Sequence, residues 1–171
     1  ALVVAGDVRP PAEPVAGVVY EQCDVTRAGA LAPLLQRHGI DVVVHLAAIV
    51  NPGRDHDLEY RVDVDGTRNV LSACVDAGVR RIVVSSSGAA YGYHPDNPEW
   101  LREGDPVRGN DEFAYAKHKR LVEEMLAAPN SLIGLGDGGA HVGIMCDATA
   151  TSYTLTHWTR DRRRGSLFPV A

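Results

Sequence analysis

The sequence predicts an α/β protein built on a doubly wound parallel sheet, followed by a C-terminal segment of different character. Three observations carry this expectation. Short apolar runs at residues 2–5, 18–20, 40–46 and 82–84 alternate with stretches whose apolar residues recur at helical spacing. The run at 40–46 is almost wholly apolar, the pattern of a strand covered on both faces. The alternation then stops near Pro129, where the chain becomes rich in glycine.

The elements follow in order. Residues 2–5 form a first strand that stops at Gly6-Asp7, and Pro10, Pro11 and Pro14 then exclude regular structure. Residues 18–20 form a second strand ending near Asp24, and Thr26 is placed to cap a helix. Leu31, Leu34 and Leu35 give an i, i+3, i+4 stripe, with Gly39 where a C-terminal cap belongs. Residues 40–46, interrupted only by Asp41 and His45, make the third strand. A longer helix carries Val70, Leu71, Cys74 and Val75 on one stripe and ends before Gly78. Ile82, Val83 and Val84 make the fourth strand and run into Ser85-Ser86-Ser87. Pro95, Pro98, Gly104 and Pro106 mark an irregular connection. Residues 115–127 then form a helix with Leu121, Val122, Met125 and Leu126 on its apolar side. Alternation of this kind implies right-handed crossovers, with ligands bound beyond the carboxyl ends of the strands. Asp7, Asp24, Leu46, Ala47, Ala48 and Ser87 all fall there.

Composition narrows the class. The 171 residues suffice for one ordinary domain, and 45% hydrophobic with 23% charged residues allow a normal core. A net charge of −5 gives no overall basic field to draw the chain to nucleic acid or lipid. The run Arg160, Arg162, Arg163 and Arg164 is broken by Asp161 and reads as a solvated end. No apolar run approaches the roughly 18 residues of a membrane span. Three widely spaced cysteines, Cys23, Cys74 and Cys146, make no disulfide framework and argue for a reducing, cytoplasmic compartment. The opening Ala-Leu-Val-Val-Ala lacks a basic n-region and a starting Met, so the true beginning of the chain is expected to lie upstream.

Tyr115 and Lys119 carry the chemistry. At i and i+4 they share one face of a helix. A phenol titrates near ~10 and is a poor base at neutral pH, and a nearby ammonium favours its ionised form. Such a tyrosine can exchange a proton with an alcohol or carbonyl oxygen while a nicotinamide carries hydride. The plainer reading is two polar residues one turn apart on a solvated face. Ser87, at the end of a strand and the mouth of the crevice, offers a hydroxyl to the same reacting oxygen. Its plainer reading is a turn or capping serine. The order of Ser87, Tyr115 and Lys119 on these elements favours the functional reading.

Four motifs then stand in order: His45-Leu46-Ala47-Ala48; Gly66-Thr67-Arg68-Asn69-Val70-Leu71; Ser85-Ser86-Ser87-Gly88-Ala89-Ala90-Tyr91-Gly92; and Tyr115-Ala116-Lys117-His118-Lys119. Together they resemble the NAD-dependent epimerase/dehydratase family, the extended branch of the short-chain dehydrogenases, over residues 1 to about 127. The resemblance implies a Rossmann-like sheet and NAD-dependent chemistry on a hydroxylated small molecule, often a nucleotide sugar. It assigns Ser87 as partner of the substrate oxygen, Tyr115 as acid/base, and Lys119 as ribose ligand and tuner. It places Asp7 at the adenosine ribose, Asp24 and Val25 at the adenine, and Leu46, Ala47 and Ala48 along the cofactor. An acidic Asp7 favours NAD, while Arg9 leaves NADP open. The family's helices matching 64–77 and 115–127 commonly pair between subunits, so a homodimer is implied. Two departures stand out. Asp63 occupies a position where the family usually has Asn, exchanging a donor for an acceptor. The family's first strand and glycine-rich phosphate loop would precede Ala1.

The segment from 128 to 171 resembles a late part of the N-acyl-D-amino-acid deacylase branch of the amidohydrolases, through Gly134-Leu135-Gly136-Asp137-Gly138-Gly139-Ala140-His141 and Leu155-Thr156-His157-Trp158. The histidine-rich motifs of that family's metal centre have no counterpart in the sequence. Asp137, His141, Cys146 and His157 lack the tight spacing of a metal site, so no metal is expected. Gly134, Gly136 and Gly139 satisfy G-x-G-x-x-G, but no helical stripe follows them. Two competing expectations remain: a fragment of a metal-dependent deacylase, or a fusion without catalysis. The tail is expected to pack poorly against the sheet.

Overall fold

The computed structural model describes residues 2–50, 53–102 and 104–127. The chain divides into a unit of Ala1–Ala128 and one of Pro129–Ala171, and all described residues belong to the first. Every expectation for 128–171, including Asp137, His141, Cys146, His157 and the glycine run, lies outside them.

Four strands form two parallel pairs. Strand β1 (Val3–Asp7) pairs with β2 (Val18–Gln22), Val3 opposite Val18 and Asp7 opposite Gln22. Strand β3 (Val42–His45) pairs with β4 (Arg81–Val84), Val42 opposite Arg81. Among the described residues the two pairs are separate sheets. Parallel pairing demands a crossover each time. From β1 to β2 it is the proline-rich segment, which no helix could occupy, held at its end by the Val15 amide donating to the Tyr20 hydroxyl at 2.9 Å.

Helix α1 (Leu31–Arg37) follows β2, with Leu31 and Leu35 buried as their spacing predicts. Thr26 does not cap it. Its amide (2.9 Å) and hydroxyl (2.7 Å) both donate to the Asp24 carboxylate, which closes a turn five residues before the helix. Asp24 captures the donors locally, as short acidic side chains do in turns.

After β3, helix α2 (His56–Tyr60), a π turn (Arg61–Asp65) and α3 (Gly66–Ala77) run on without a break. The widened turn lets successive side chains, Asp63 and Val64, both point inward, and the Thr67 hydroxyl closes it by donating to the Asp63 carbonyl at 2.6 Å. The π turn has no periodicity signal in the sequence. Gly78, at φ +69°, ends α3 in the left-handed conformation that glycine adopts at no steric cost. Beyond β4 a 3₁₀ turn (Gly88–Tyr91) leads to a long connection and then α4 (Ala114–Leu126).

The core joins α1 and α3: Leu31, Leu35, Val70, Ala73 and Cys74, flanked by Cys23, Val25, Val43 and Ile82 from the strands. Alternate strand residues point the other way, and Val44 and Val83 are 59% and 50% exposed. The third strand was expected to be covered on both faces, but no described helix covers this one. No described helix is long and apolar enough to cross a membrane.

Candidate active site

Helix α4 carries Tyr115 and Lys119 to the carboxyl end of β4. Lys119 is 5% exposed, and its ammonium donates to the Ser85 carbonyl at 2.9 Å. The same nitrogen stands 5.6 Å from the centroid of the Tyr115 ring, within cation–π range. The tyrosine–lysine pair is therefore not a solvated helix face. Burial pushes the ammonium below its ordinary 10.5, against the opposing pull of Asp63 and Glu123.

Ser87 adopts the capping role. Its oxygen accepts the Ala89 amide at 3.2 Å and starts the 3₁₀ turn, against which α4 packs. Capping uses a lone pair and leaves the hydroxyl proton free to donate elsewhere. Both readings of Ser87 are thus compatible with the local geometry.

Beneath Lys119 lies a buried polar layer. The Asp63 carboxylate accepts the Ile49 amide at 2.8 Å and, through its other oxygen, the Nδ1 of His118 at 3.1 Å. His118 meets the Tyr60 ring edge-on at 5.6 Å between centroids. His45, at the end of β3, lies 3.0 Å from the Thr67 hydroxyl through Nε2. That hydroxyl gives its proton to the Asp63 carbonyl, so His45 Nε2 is the donor. Burial first, and then the Lys119 charge, lower the pKa of His45 and favour the neutral ring, with Asp63 opposing them. Asp63 therefore fastens three pieces together: the π turn, the loop after β3, and α4 at the residue before Lys119.

The proposed adenosine-side residues line the ends of the other pair. Asp7 accepts the Arg9 amide at 2.9 Å and remains exposed. The Asp24 carboxylate is held below its ordinary value by the Thr26 hydroxyl and amide, and an Arg27 guanidinium lies 3.5 Å away. Asp24 borders a cavity of about 230 Å³ with Val8, Gln22, Cys23, Arg27, Ala30 and Leu34. Val25 packs on the core, and its carbonyl accepts Asn69 Nδ2 at 2.8 Å. Leu46 is 68% exposed and Ala47 is exposed, leaving apolar surface at the end of β3 that no described residue covers.

The structure thus brings Lys119 to Tyr115 and to the strand end that leads to Ser87. Asp7 and Asp24 stand at the ends of the separate β1–β2 pair. The buried layer of His45, Thr67, Asp63 and His118, with the half-buried Tyr60 at its edge, has no signature as a unit in the sequence. Asp63 stood out in the sequence only as a departure from the family pattern. Its pairing with His118, 55 residues away, has no local signal.

The described chain can be set against known proteins. The model of the NAD dependent epimerase/dehydratase family matches residues 3–135. A 3beta-hydroxysteroid-dehydrogenase/decarboxylase isoform 2 of Arabidopsis thaliana is 36% identical over 99 residues, covering 57% of this chain and 17% of the relative. A short-chain dehydrogenase/reductase superfamily protein of Agrobacterium tumefaciens, solved with NAD, superposes with a TM-score of 0.58 at 33% identity, covering 72% of this chain and 36% of that one. The UDP-glucose-4-epimerase of Stenotrophomonas maltophila, solved with NAD and a formylated UDP-arabinopyranose, gives 0.55 at 31% identity over 65% and 33% of the two chains. The chain spans 17 to 38% of the length of the first curated relatives it matches. With its α/β architecture, parallel strands and matching motifs, the chain belongs to the NAD-dependent epimerase/dehydratase family.

Proposed function

We propose that this chain carries the catalytic helix and the adenosine-side strands of an NAD-dependent epimerase/dehydratase or oxidoreductase acting on a hydroxylated small molecule. The observation that carries this reading is the buried Lys119, bonded to the Ser85 carbonyl and set against the Tyr115 ring. Burying an ammonium is costly unless it is paired or used. Here the cost holds a cation beside a phenol at the carboxyl end of a parallel sheet. NAD, when bound, supplies the hydride acceptor or donor. Tyr115 passes a proton to or from the substrate oxygen, Lys119 stabilises the phenolate and meets ribose hydroxyls, and Ser87 donates its free hydroxyl proton to the same oxygen. Asp7 offers an acceptor for the adenosine ribose, and Leu46, Ala47 and Ala48 offer an apolar wall. Asp24 and Val25 are the residues proposed for the adenine; the cavity beside Asp24 supports the first, and the inward packing of Val25 leaves it only its backbone.

Titration of NADH, followed by nicotinamide fluorescence, tests the reading. Weak saturable binding that Lys119→Met abolishes, with the far-ultraviolet spectrum unchanged, is the expected result. Equal binding by the variant would overturn it.

The reading extends to a cytoplasmic setting and to a homodimer formed through α3 and α4. Val75 of α3 is exposed, and Leu121 and Met125 of α4 are half-buried, so both helices keep apolar surface outside the core.

A further inference from the structure

We infer that Glu59 is a positioning residue for the proposed site: with Asp63 it forms a two-point carboxylate clamp that holds the chain leaving β3 against the helix running from α2 into the π turn, and so sets where the wall of Leu46, Ala47 and Ala48 stands. The inference rests on the proposed role of that wall in holding NAD and deepens it. Glu59 and Asp63 stand four residues apart where α2 meets the π turn, and both side chains point inward, 4% and 3% exposed. Each accepts a backbone amide from the chain beyond β3. Asp63 takes Ile49 at 2.8 Å, and Glu59 takes Gly53 at 2.6 Å. The earlier loop residue meets the later helix residue, so the loop runs antiparallel to the helix and is tied to it at two places.

The plainer reading of Glu59 is an acid that caps the start of α2. That task is already done by Asp55, whose side chain accepts the Leu58 amide at 2.9 Å and whose carbonyl accepts the Glu59 amide at 3.1 Å. Glu59 reaches past this cap, to an amide two residues ahead of it. A capping acid also costs little because it stays in water. Glu59 is closed off from water, and a buried carboxylate is tolerated when its oxygens are bonded. Both are. One takes the Gly53 amide, and the other takes Nδ1 of His56 at 3.1 Å, from a side chain that is 70% exposed. The His56 bond first, and the Gly53 bond next, hold the Glu59 carboxyl below its ordinary 4.5 against the opposing effect of burial, so it is a charged acceptor at neutral pH.

The two bonds do different work. Asp63 also accepts His118, the residue before Lys119 on α4, while Ile49 directly follows the wall. Asp63 therefore refers the wall and the proposed catalytic helix to one point. A single point leaves the loop able to swing about Ile49. Glu59, one helical turn earlier, removes that freedom. A wall held in place before the cofactor arrives lowers the ordering cost of binding it.

The test compares three forms of the full ¹⁵N-labelled chain, without cofactor, by amide NMR and hydrogen exchange. Glu59→Gln keeps an oxygen for Gly53, whereas Glu59→Met keeps the volume and loses both acceptors. Glu59→Met should speed exchange at the Gly53 amide about tenfold and shift the amide signals of Leu46, Ala47 and Ala48. Glu59→Gln should leave them close to the parent, a rescue that a role in filling space would not produce. His56→Ala, a change on an exposed ring, should move the same signals less far in the same direction, and it decides the matter if Glu59→Met does not fold. NADH, titrated separately, should bind Glu59→Met about tenfold more weakly than the parent and Glu59→Gln within about twofold of it. Loop signals unmoved in Glu59→Met, signals moved as far in Glu59→Gln, or NADH binding indifferent to Glu59→Met would overturn the clamp. A parent chain that binds no NADH removes the cofactor reading instead, and the cofactor-free loop signals still decide the clamp.

Discussion

Asp63 is the residue whose loss should be felt most widely. Its carboxylate is buried and satisfies two groups on separate segments, the Ile49 amide and His118 Nδ1. Asp63→Ala leaves both without a partner and removes a side chain from a closed space. An unsatisfied buried group costs about 1–3 kcal/mol, and Ile49 is only part-buried, so the two together come to about 2–4 kcal/mol. For a chain of this length that is a fall in melting temperature of roughly 5–12 °C. Asp63→Asn is the informative control. Its oxygen still accepts the Ile49 amide, and its NH₂ donates to a His118 that has moved its proton to Nε2, so the cost should stay below about 1 kcal/mol. Urea unfolding of the three proteins, followed by circular dichroism, measures both numbers. If Asp63→Ala unfolds within 0.5 kcal/mol of the parent (about the scatter of a neutral surface change), or Asp63→Asn costs as much as Asp63→Ala, the carboxylate is not the fastening described.

Three further outcomes follow from the same geometry. Burial lowers the folded-state pKa of Lys119 below 10.5, so the unfolded chain binds the extra proton between the two values, and stability should rise with pH through that window; a flat difference in unfolding free energy between the parent and Lys119→Met from pH 8 to 10.5 would contradict it. Gly66→Ala places a methyl 2.7 Å from Val25 Cγ2, so it should destabilise by about 1–3 kcal/mol despite alanine's advantage of roughly 1 kcal/mol in a helix; equal or greater stability in thermal melts would show that Val25 yields freely. If α3 and α4 mediate self-association, Val75→Glu combined with Leu121→Glu should shift sedimentation from dimer to monomer, and a parent chain already monomeric at ~100 μM removes the dimer.

Much of this architecture was legible because periodicity and burial agree. Leu31 and Leu35 fall on one stripe and are buried together, and Val70 and Cys74 do the same. The proximity of Tyr115 and Lys119 was legible because i, i+4 spacing on a helix is local geometry. What the sequence hid is what depends on distant partners. Thr26 has the chemistry of a cap, but Asp24 competes for its donors two residues away and wins. The π turn arises where Asp63 and Val64 must both face inward, a demand set by Ile49 and His118 and not by neighbouring residues. The rings of Tyr93 and Phe113 meet across the connection between the 3₁₀ turn and α4, and no spacing rule links those positions.

The most direct test of the cofactor site is an amide NMR map of the ¹⁵N-labelled chain during titration with millimolar NAD. The account predicts graded shifts at Asp7, Leu46, Ala47, Ala48 and Ser87, with the Leu46–Ala48 and Ser87 shifts lost in Lys119→Met. Shifts confined to other residues, or none at those positions at saturating NAD, would contradict it.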